Sequence, residues 1–400
     1  MLVPGKNDKN GTRAFSDRCD GGGRFLSGPA ITSDVSGSIT SGTNRDQRLY
    51  REGNNGHKLR ILHVIVVPMD RSHPIPIEIL IVWALWDIQT IYYPLLAAVG
   101  VPVNLLTIVI LSRGKCGLSK CVTRYLVAMA AADLLVVIID LILRQIPIVY
   151  QFEFVKSIPV CNIHAVLLFA ATDCSVWFTV TFTFDRFVAI CCQKLKTKYC
   201  TEKTAAVVLG TVSVVSCLKN IPWYFMYTFE YWLINDPWFC IVRNGVLNSP
   251  VWGAIQFLHY FLTPGVPFVL ILLLNAFTVR YILVASRARR RLRAHSSGES
   301  PRDPEMESRR KSIILLFVIS GNFILLWVVF MVFSIWRPMR YLGFQSVFLP
   351  FFVRELGFML QLLSCCTNTC IYAVTQTKFR EQLKNVVKYP FTLIVKFIKW

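Results

Sequence analysis

Asp185-Arg186-Phe187 stands 24 residues after Cys161, at the far end of one apolar run. A carboxylate and a guanidinium at a membrane edge are costly to hold near hydrocarbon, so such a pair marks a working site before it marks a packing site. The chemistry open to it is a switch, because an arginine gripped by an adjacent acid has a held state and a released one. Other polar residues are set inside greasy stretches. Asn104 lies four residues after Gly100 and two after Pro102, and Asp133 follows Leu126-Val127-Ala128-Met129-Ala130-Ala131-Ala132. An amide and a carboxyl at similar depth can share water and hydrogen bonds, and small neighbours let their helices approach. For Asn104 a structural polar contact is the simpler reading; for Asp133 a cation or proton role stands level with it. Asn368 and Tyr372 are four apart and share one helix face, as do Phe323 and Trp327. The aromatic pair reads either as core packing or as a toggle that changes rotamer between two helix arrangements.

A second group falls at the opposite ends of the runs: Arg144, Leu168, Phe169, Thr172, Asp173, Trp327, Arg337, Arg354 and Glu355. Beside them, Trp223 to Phe239 holds nine aromatic residues. An aromatic lid with several arginines suits a small zwitterion, or a peptide bearing an aromatic group and a carboxylate. Interfacial anchoring of helix ends accounts for part of the same aromatics. The six histidines show no metal-ligand spacing, and there is no phosphate-binding glycine loop or serine elbow. Neither a metal centre nor an enzyme is expected.

These residues must be positioned by helices. The chain is 54% hydrophobic and 16% charged, too greasy for an ordinary soluble fold, and its apolar residues come in blocks of twenty or more. Blocks of that length cross a hydrocarbon core about 30 Å thick. Seven are expected, at 77–112, 123–148, 158–192, 204–227, 250–285, 311–336 and 345–374, which makes an all-α membrane protein built as a seven-transmembrane helix bundle. Residues 1–76 read as a disordered extracellular tail, 77–375 as the bundle, and 376–400 as a cytoplasmic amphipathic helix with a basic tail. In that last segment Phe379, Leu383, Val386 and Val387 alternate with Lys378, Arg380, Lys384 and Lys388, a pattern for lying on an anionic leaflet of the bilayer.

The net charge of +20 raises the question of nucleic acid, but the basic residues sit between the apolar blocks rather than on a folded module. Arg113, Lys115, Lys120 and Arg124, then Lys194, Lys196, Lys198 and Lys203, then ten between Arg280 and Lys311 fill alternate loops. The opposite loops hold Lys156, Arg243, Arg337 and Arg340. That asymmetry expects an extracellular N-terminus and a cytoplasmic C-terminus in the plasma membrane. No signal-peptide pattern opens the sequence, so the first span is expected to serve as insertion signal. Asn10-Gly11-Thr12 is then a glycosylation acceptor. Of the thirteen cysteines only Cys19, Cys161 and Cys240 face the oxidising side, and Cys161 with Cys240 is the expected disulfide.

Taken in order, Asn104, Asp133, Cys161, Asp185-Arg186-Phe187, Cys240, Pro267, Phe323 with Trp327, and Asn368 with Tyr372 make the chain resemble class A (rhodopsin-like) G-protein-coupled receptors over about 77–388. Within that family it is similar to the orphan branch of probable receptors 139 and 142. Leu105-Leu106-Thr107-Ile108-Val109-Ile110-Leu111-Ser112, Ala130-Ala131-Ala132-Asp133-Leu134, Leu274-Asn275 and Leu326-Trp327 carry that likeness. The resemblance implies that Asp185 restrains Arg186 at rest and that Arg186 faces a heterotrimeric G protein once span six swings outward. It implies a sodium and water site at Asp133, Asn104 and Asn368, with Tyr372 joining the active-state network. The branch includes receptors responsive to aromatic amino acids, which points to that ligand class or a small peptide. Several positions depart from the family. Phe187 replaces a tyrosine, Val329 and Thr369 stand where prolines are usual, and Asn275 replaces a tyrosine. Span four lacks its tryptophan near Val212, and Arg309 stands where a glutamate often faces Arg186. A seven-helix protein with weak or no G-protein coupling, a decoy or a constitutive scaffold, is the alternative.

Overall fold

A block of twenty apolar residues can satisfy its backbone groups away from water only as a helix, and the computed structural model of the chain has helices where the blocks are. It describes residues 77–150, 158–226, 249–293, 304–343 and 349–398. Seven helical segments are long and apolar enough to cross a membrane: Leu80–Ser112, Lys120–Tyr150, Pro159–Cys191, Glu202–Phe225, Pro250–Ala288, Arg310–Met339 and Phe352–Thr375, spans one to seven below. The described residues contain no strand. The fold is an all-α seven-helix bundle. Ile91, Val207 and Leu325 are each about two-thirds exposed or more on its outside, which water would penalise and lipid accepts. The bundle end carrying Cys161 is here the outer end, and that carrying Asp185 the inner.

Two spans are less regular than an apolar block requires. Span two widens into a π-helix over Val137–Gln145. The wider turn brings both Arg144 and Gln145 onto Asp140 Oδ1, at 3.0 and 3.2 Å. Span five is interrupted over Phe261–Gly265, where Thr263 leaves helical geometry (φ −147°, ψ 110°) ahead of Pro264. Proline has no amide hydrogen and its ring crowds the preceding turn. Pro267 lies in the first turn of the helix Val266–Arg293, where a missing amide hydrogen is harmless.

At the inner end the first loop turns on Gly114 and Gly117, both at φ 68°, a backbone region that favours glycine. Ser119 then caps span two by accepting from the Val122 amide at 3.3 Å. Arg124 pairs with Glu202 at 2.7 Å and ties the feet of spans two and four. Near the middle, Gly100 lets spans one and seven close up, since a Cβ there would sit 2.6 Å from Cys366 Sγ. After span seven, Gln376 is extended and a further helix, Thr377–Ile398, leaves the bundle. Its Phe379 is fully buried 5.9 Å from the Tyr372 ring, with Leu383 and Val386 packed beside it, while Lys378, Arg380, Lys384 and Lys388 are exposed. This is the amphipathic eighth helix.

Candidate functional site

Three polar layers lie along the bundle axis. At the inner end Asp185 and Arg186 are both buried, and Arg186 folds back on its neighbour, donating Nε to Asp185 Oδ2 at 3.0 Å with Nη2 on the same oxygen. Arg186 Nη1 then reaches span six, donating to Ser312 Oγ at 3.3 Å. Two thiols complete the cage. Cys121 Sγ donates to Asp185 Oδ1 at 3.1 Å, and Cys200 Sγ to the Asp185 carbonyl oxygen at 3.6 Å. Burial and the Asp185 carboxylate push the Cys200 thiol up to about 12. Phe187 points elsewhere, its ring 6.5 Å from Phe184. The side chain of Arg309 lies outside the described residues, so the span-six partner of Arg186 described here is Ser312. Neither Ser312 nor the two cysteines has a sequence signature, because each is an ordinary residue that matters only through a neighbour on another helix.

The middle layer is centred on Asp133. Ser175 Oγ donates to its Oδ1 at 2.6 Å and Asn368 Nδ2 to its Oδ2 at 2.7 Å. Asn104, expected in the same cluster, instead donates to the Gly100 and Cys365 carbonyls, both at 2.9 Å, and stitches span one to span seven. Thr369 also joins these two spans, through Thr107 Oγ1 at 2.8 Å and the Val103 carbonyl at 3.1 Å. Asn104 Oδ1, Ser320 Oγ and the Tyr372 hydroxyl are buried without a hydrogen bond.

The outer layer is a cavity of about 340 Å³. Arg144, Leu168, Phe169, Thr172, Asp173, Trp327, Arg337, Arg354 and Glu355 all line it, so the residues singled out at the outer ends of the spans share one chamber. Charge on its wall is paired locally. Arg354 grips Glu355 Oε1 at 2.7 Å, Gln89 donates to Glu355 Oε2 at 2.9 Å, and Arg144 sits 5.6 Å over the Phe358 ring. Phe169 stacks on Trp223 at 4.2 Å, and His259 stands edge-on to both. Trp327 stacks on Phe323 at 5.4 Å and donates Nε1 to Ser364 Oγ at 2.9 Å. Cys161 is disulfide-bonded, and the other described cysteines are free. Cys240, the aromatic stretch from Tyr227 to Phe239, and Asn10 lie outside the described residues.

The family model "7 transmembrane receptor (rhodopsin family)" matches residues 103–372, from the start of the polar core to Tyr372. The chain belongs to this family. Among curated proteins it is 24% identical over 310 residues to mouse "Probable G-protein coupled receptor 142", covering 75% of this chain and 73% of that one. It is 27% identical over 180 residues to mouse "G-protein coupled receptor 39", covering 44% of this chain and 39% of the other. Bovine "G-protein coupled receptor 39" gives 29% over 177 residues, 42% and 37% of the two chains.

The receptor's departures from its family have structural counterparts. Val329 lies in an unbroken helix, Pro304–Tyr341, whose internal proline is Pro338. Thr369 is a cross-span hydrogen-bonding residue instead of a proline. Asn275 bonds back to its own helix, Nδ2 to the Ile271 carbonyl at 2.8 Å. Spans six and seven of this receptor run as continuous helices through Val329 and Thr369.

Proposed function

We propose that this receptor takes up a small extracellular molecule carrying an aromatic group and a carboxylate, an aromatic amino acid or a short peptide, and signals to a heterotrimeric G protein at the cytoplasmic end. The N-terminus is then outside, which fits a disulfide at Cys161 and basic loops at the inner end. The observation that carries this reading is Trp327. It lines the outer cavity and holds Ser364, which lies one helical turn before Asn368, the residue that holds Asp133. A ligand that displaces Trp327 therefore pulls on the face of span seven that grips the polar core. On the chamber wall Arg144 and Arg354 are engaged by Asp140 and Glu355, so Arg337 supplies the forked donor for a carboxylate and the rings supply a stacking surface.

The polar core suits a sodium ion. Asp133 with Ser175 and Asn368 would hold it, and the buried oxygens of Asn104, Ser320 and Tyr372 that lack a partner are the kind that a hydrated ion satisfies. Bound there, the ion would supply positive charge to an otherwise uncompensated acid.

A second reading, a seven-helix protein with weak or no coupling, is favoured by the unbroken span six through Val329 and the extra bonds of Thr369. Nucleotide exchange decides between them. In membranes containing the receptor and a G protein, a panel of aromatic amino acids and their dipeptides should stimulate exchange, and Arg186→Ala should remove the response. Binding with no exchange on any G protein would support the decoy. Absence of both binding and exchange across the panel would refute the ligand class.

A further inference from the structure

Two donors converge on one oxygen of Asp173. Lys219 Nζ lies 2.7 Å from Oδ2, and Asn220 Nδ2 donates to the same atom at 2.5 Å. Both come from the outer end of span four and both are fixed independently. Asn220 also donates to the Ser216 carbonyl at 2.8 Å, and Lys219 to Thr263 Oγ1 at 3.1 Å. The Thr263 hydroxyl stands beside the carboxylate as well. Asp173 is only 1% exposed, yet its Oδ1 makes no hydrogen bond. Asp173 and Thr263 line the outer cavity, whereas Lys219 and Asn220 do not. The charge is matched from behind, and Oδ1 is left as a buried, unpaired acceptor on a residue of the chamber wall.

The character of its missing partner follows from the neighbours. A cation suits it badly, because the Lys219 ammonium already balances the carboxylate and would repel a second positive charge. A neutral N–H or O–H suits it well. The walls beside it are rings: Phe169 stacked on Trp223 at 4.2 Å, with His259 edge-on at 4.9 and 5.1 Å. A flat ring suits such a wall, and a donor carried on that ring would be the partner Oδ1 lacks. We infer that Asp173 is a specificity-determining residue of the ligand site: its Oδ1 accepts a hydrogen bond from a neutral N–H or O–H on the ligand's aromatic ring. Indole and phenol rings are thereby preferred to rings of the same shape without the donor. The inference rests on the outer cavity being the ligand site and adds the ring chemistry it selects. A ring lacking the donor dries the pocket and leaves Oδ1 unpaired, and a site built around a hydrogen bond discriminates far better than one that gains only a methylene's worth of contact.

The test uses the purified full-length receptor and two probe pairs. L-tryptophan is compared with its analogue in which sulfur replaces the indole N–H, and L-tyrosine with L-phenylalanine, by calorimetric or thermal-shift titration. The donor-bearing member of each pair should bind about tenfold tighter or better. In the double variant Asp173→Leu with Lys219→Met, which removes the acceptor without stranding a buried lysine, the ratio should fall to about one. Equal affinities within both pairs in the unaltered receptor overturn this inference alone, whether or not the variant folds. A preference that survives in the variant also overturns it, since another group would then be reading the donor. Binding of none of the four probes overturns it together with the proposed ligand class.

Discussion

Ser312→Ala should raise signalling in the absence of ligand. Arg186 is latched twice in this arrangement, to Asp185 beside it and to Ser312 on span six. Only the second bond joins two spans, so only it resists an outward swing of span six. A hydrogen bond from a charged donor is worth about 1.5–3 kcal/mol when short and buried. At 3.3 Å and near the bundle edge this one is set lower, at about 1 kcal/mol. Because about 1.4 kcal/mol is tenfold in population, removing it should raise the active fraction roughly fivefold where that fraction starts small. Ser312→Asp should act oppositely, by giving Arg186 an ionised partner with two acceptor oxygens. Arg309 is one turn earlier on the same helix, so Arg309→Glu should lower basal signalling by the same logic. The assay is ligand-free nucleotide exchange at matched surface expression. Basal exchange that is unchanged or lower in Ser312→Ala, with Ser312→Asp no lower than the unaltered receptor, would show that the contact does not latch span six.

Three further outcomes are expected. Cys161→Ser and Cys240→Ser should each lose a few kcal/mol of stability and fail to reach the cell surface, as read by surface labelling, if these two cysteines are the bonded pair; normal surface levels for both would exclude it. Ligand affinity should depend on sodium, and Asp133→Asn should abolish the dependence; a titration of equal sodium sensitivity in the variant would leave Asp133 as a hydrogen-bonding group only. Cys200, with its thiol pushed up to about 12, carries about one thiolate in ten thousand at pH 8. The group is held neutral across the physiological range and ionises only as pH climbs toward that value, so its alkylation, followed by peptide mass spectrometry, should rise about tenfold per pH unit from 8 to 10; a plateau below pH 10 would refute the shift.

The helices and the rough depth of each polar residue were legible because both follow from one-dimensional quantities. Length of apolar run gives a span, and position within the run gives depth. That is why Arg144, Asp173, Arg354 and Glu355, chosen only for lying near outer ends of three different segments, line one cavity. It is also why Asp133 and Asn368 meet. The eighth helix was legible for the same reason: the spacing of Phe379, Leu383 and Val386 is a property of one helix alone.

What the sequence left dark is relative rotation. Asn104 and Asp133 are at similar depth, but Asn104 is turned toward the Cys365 carbonyl while Ser175, a residue of no apparent distinction, donates to Asp133. Rotation in turn depends on where a helix loses its regular pitch. Nothing in Val137–Gln145 announces a π-helix, since the nearest proline comes after it, yet that turn decides that Arg144 and Gln145 both reach Asp140. The continuous spans six and seven carry the same lesson in reverse. Val329 and Thr369 stand where the resemblance expects prolines; the helix runs on through Val329, and the Thr369 hydroxyl binds span one. Movement of span seven away from span one in this receptor must therefore break hydrogen bonds to Thr107 and Val103, a resistance set by the side chain of Thr369.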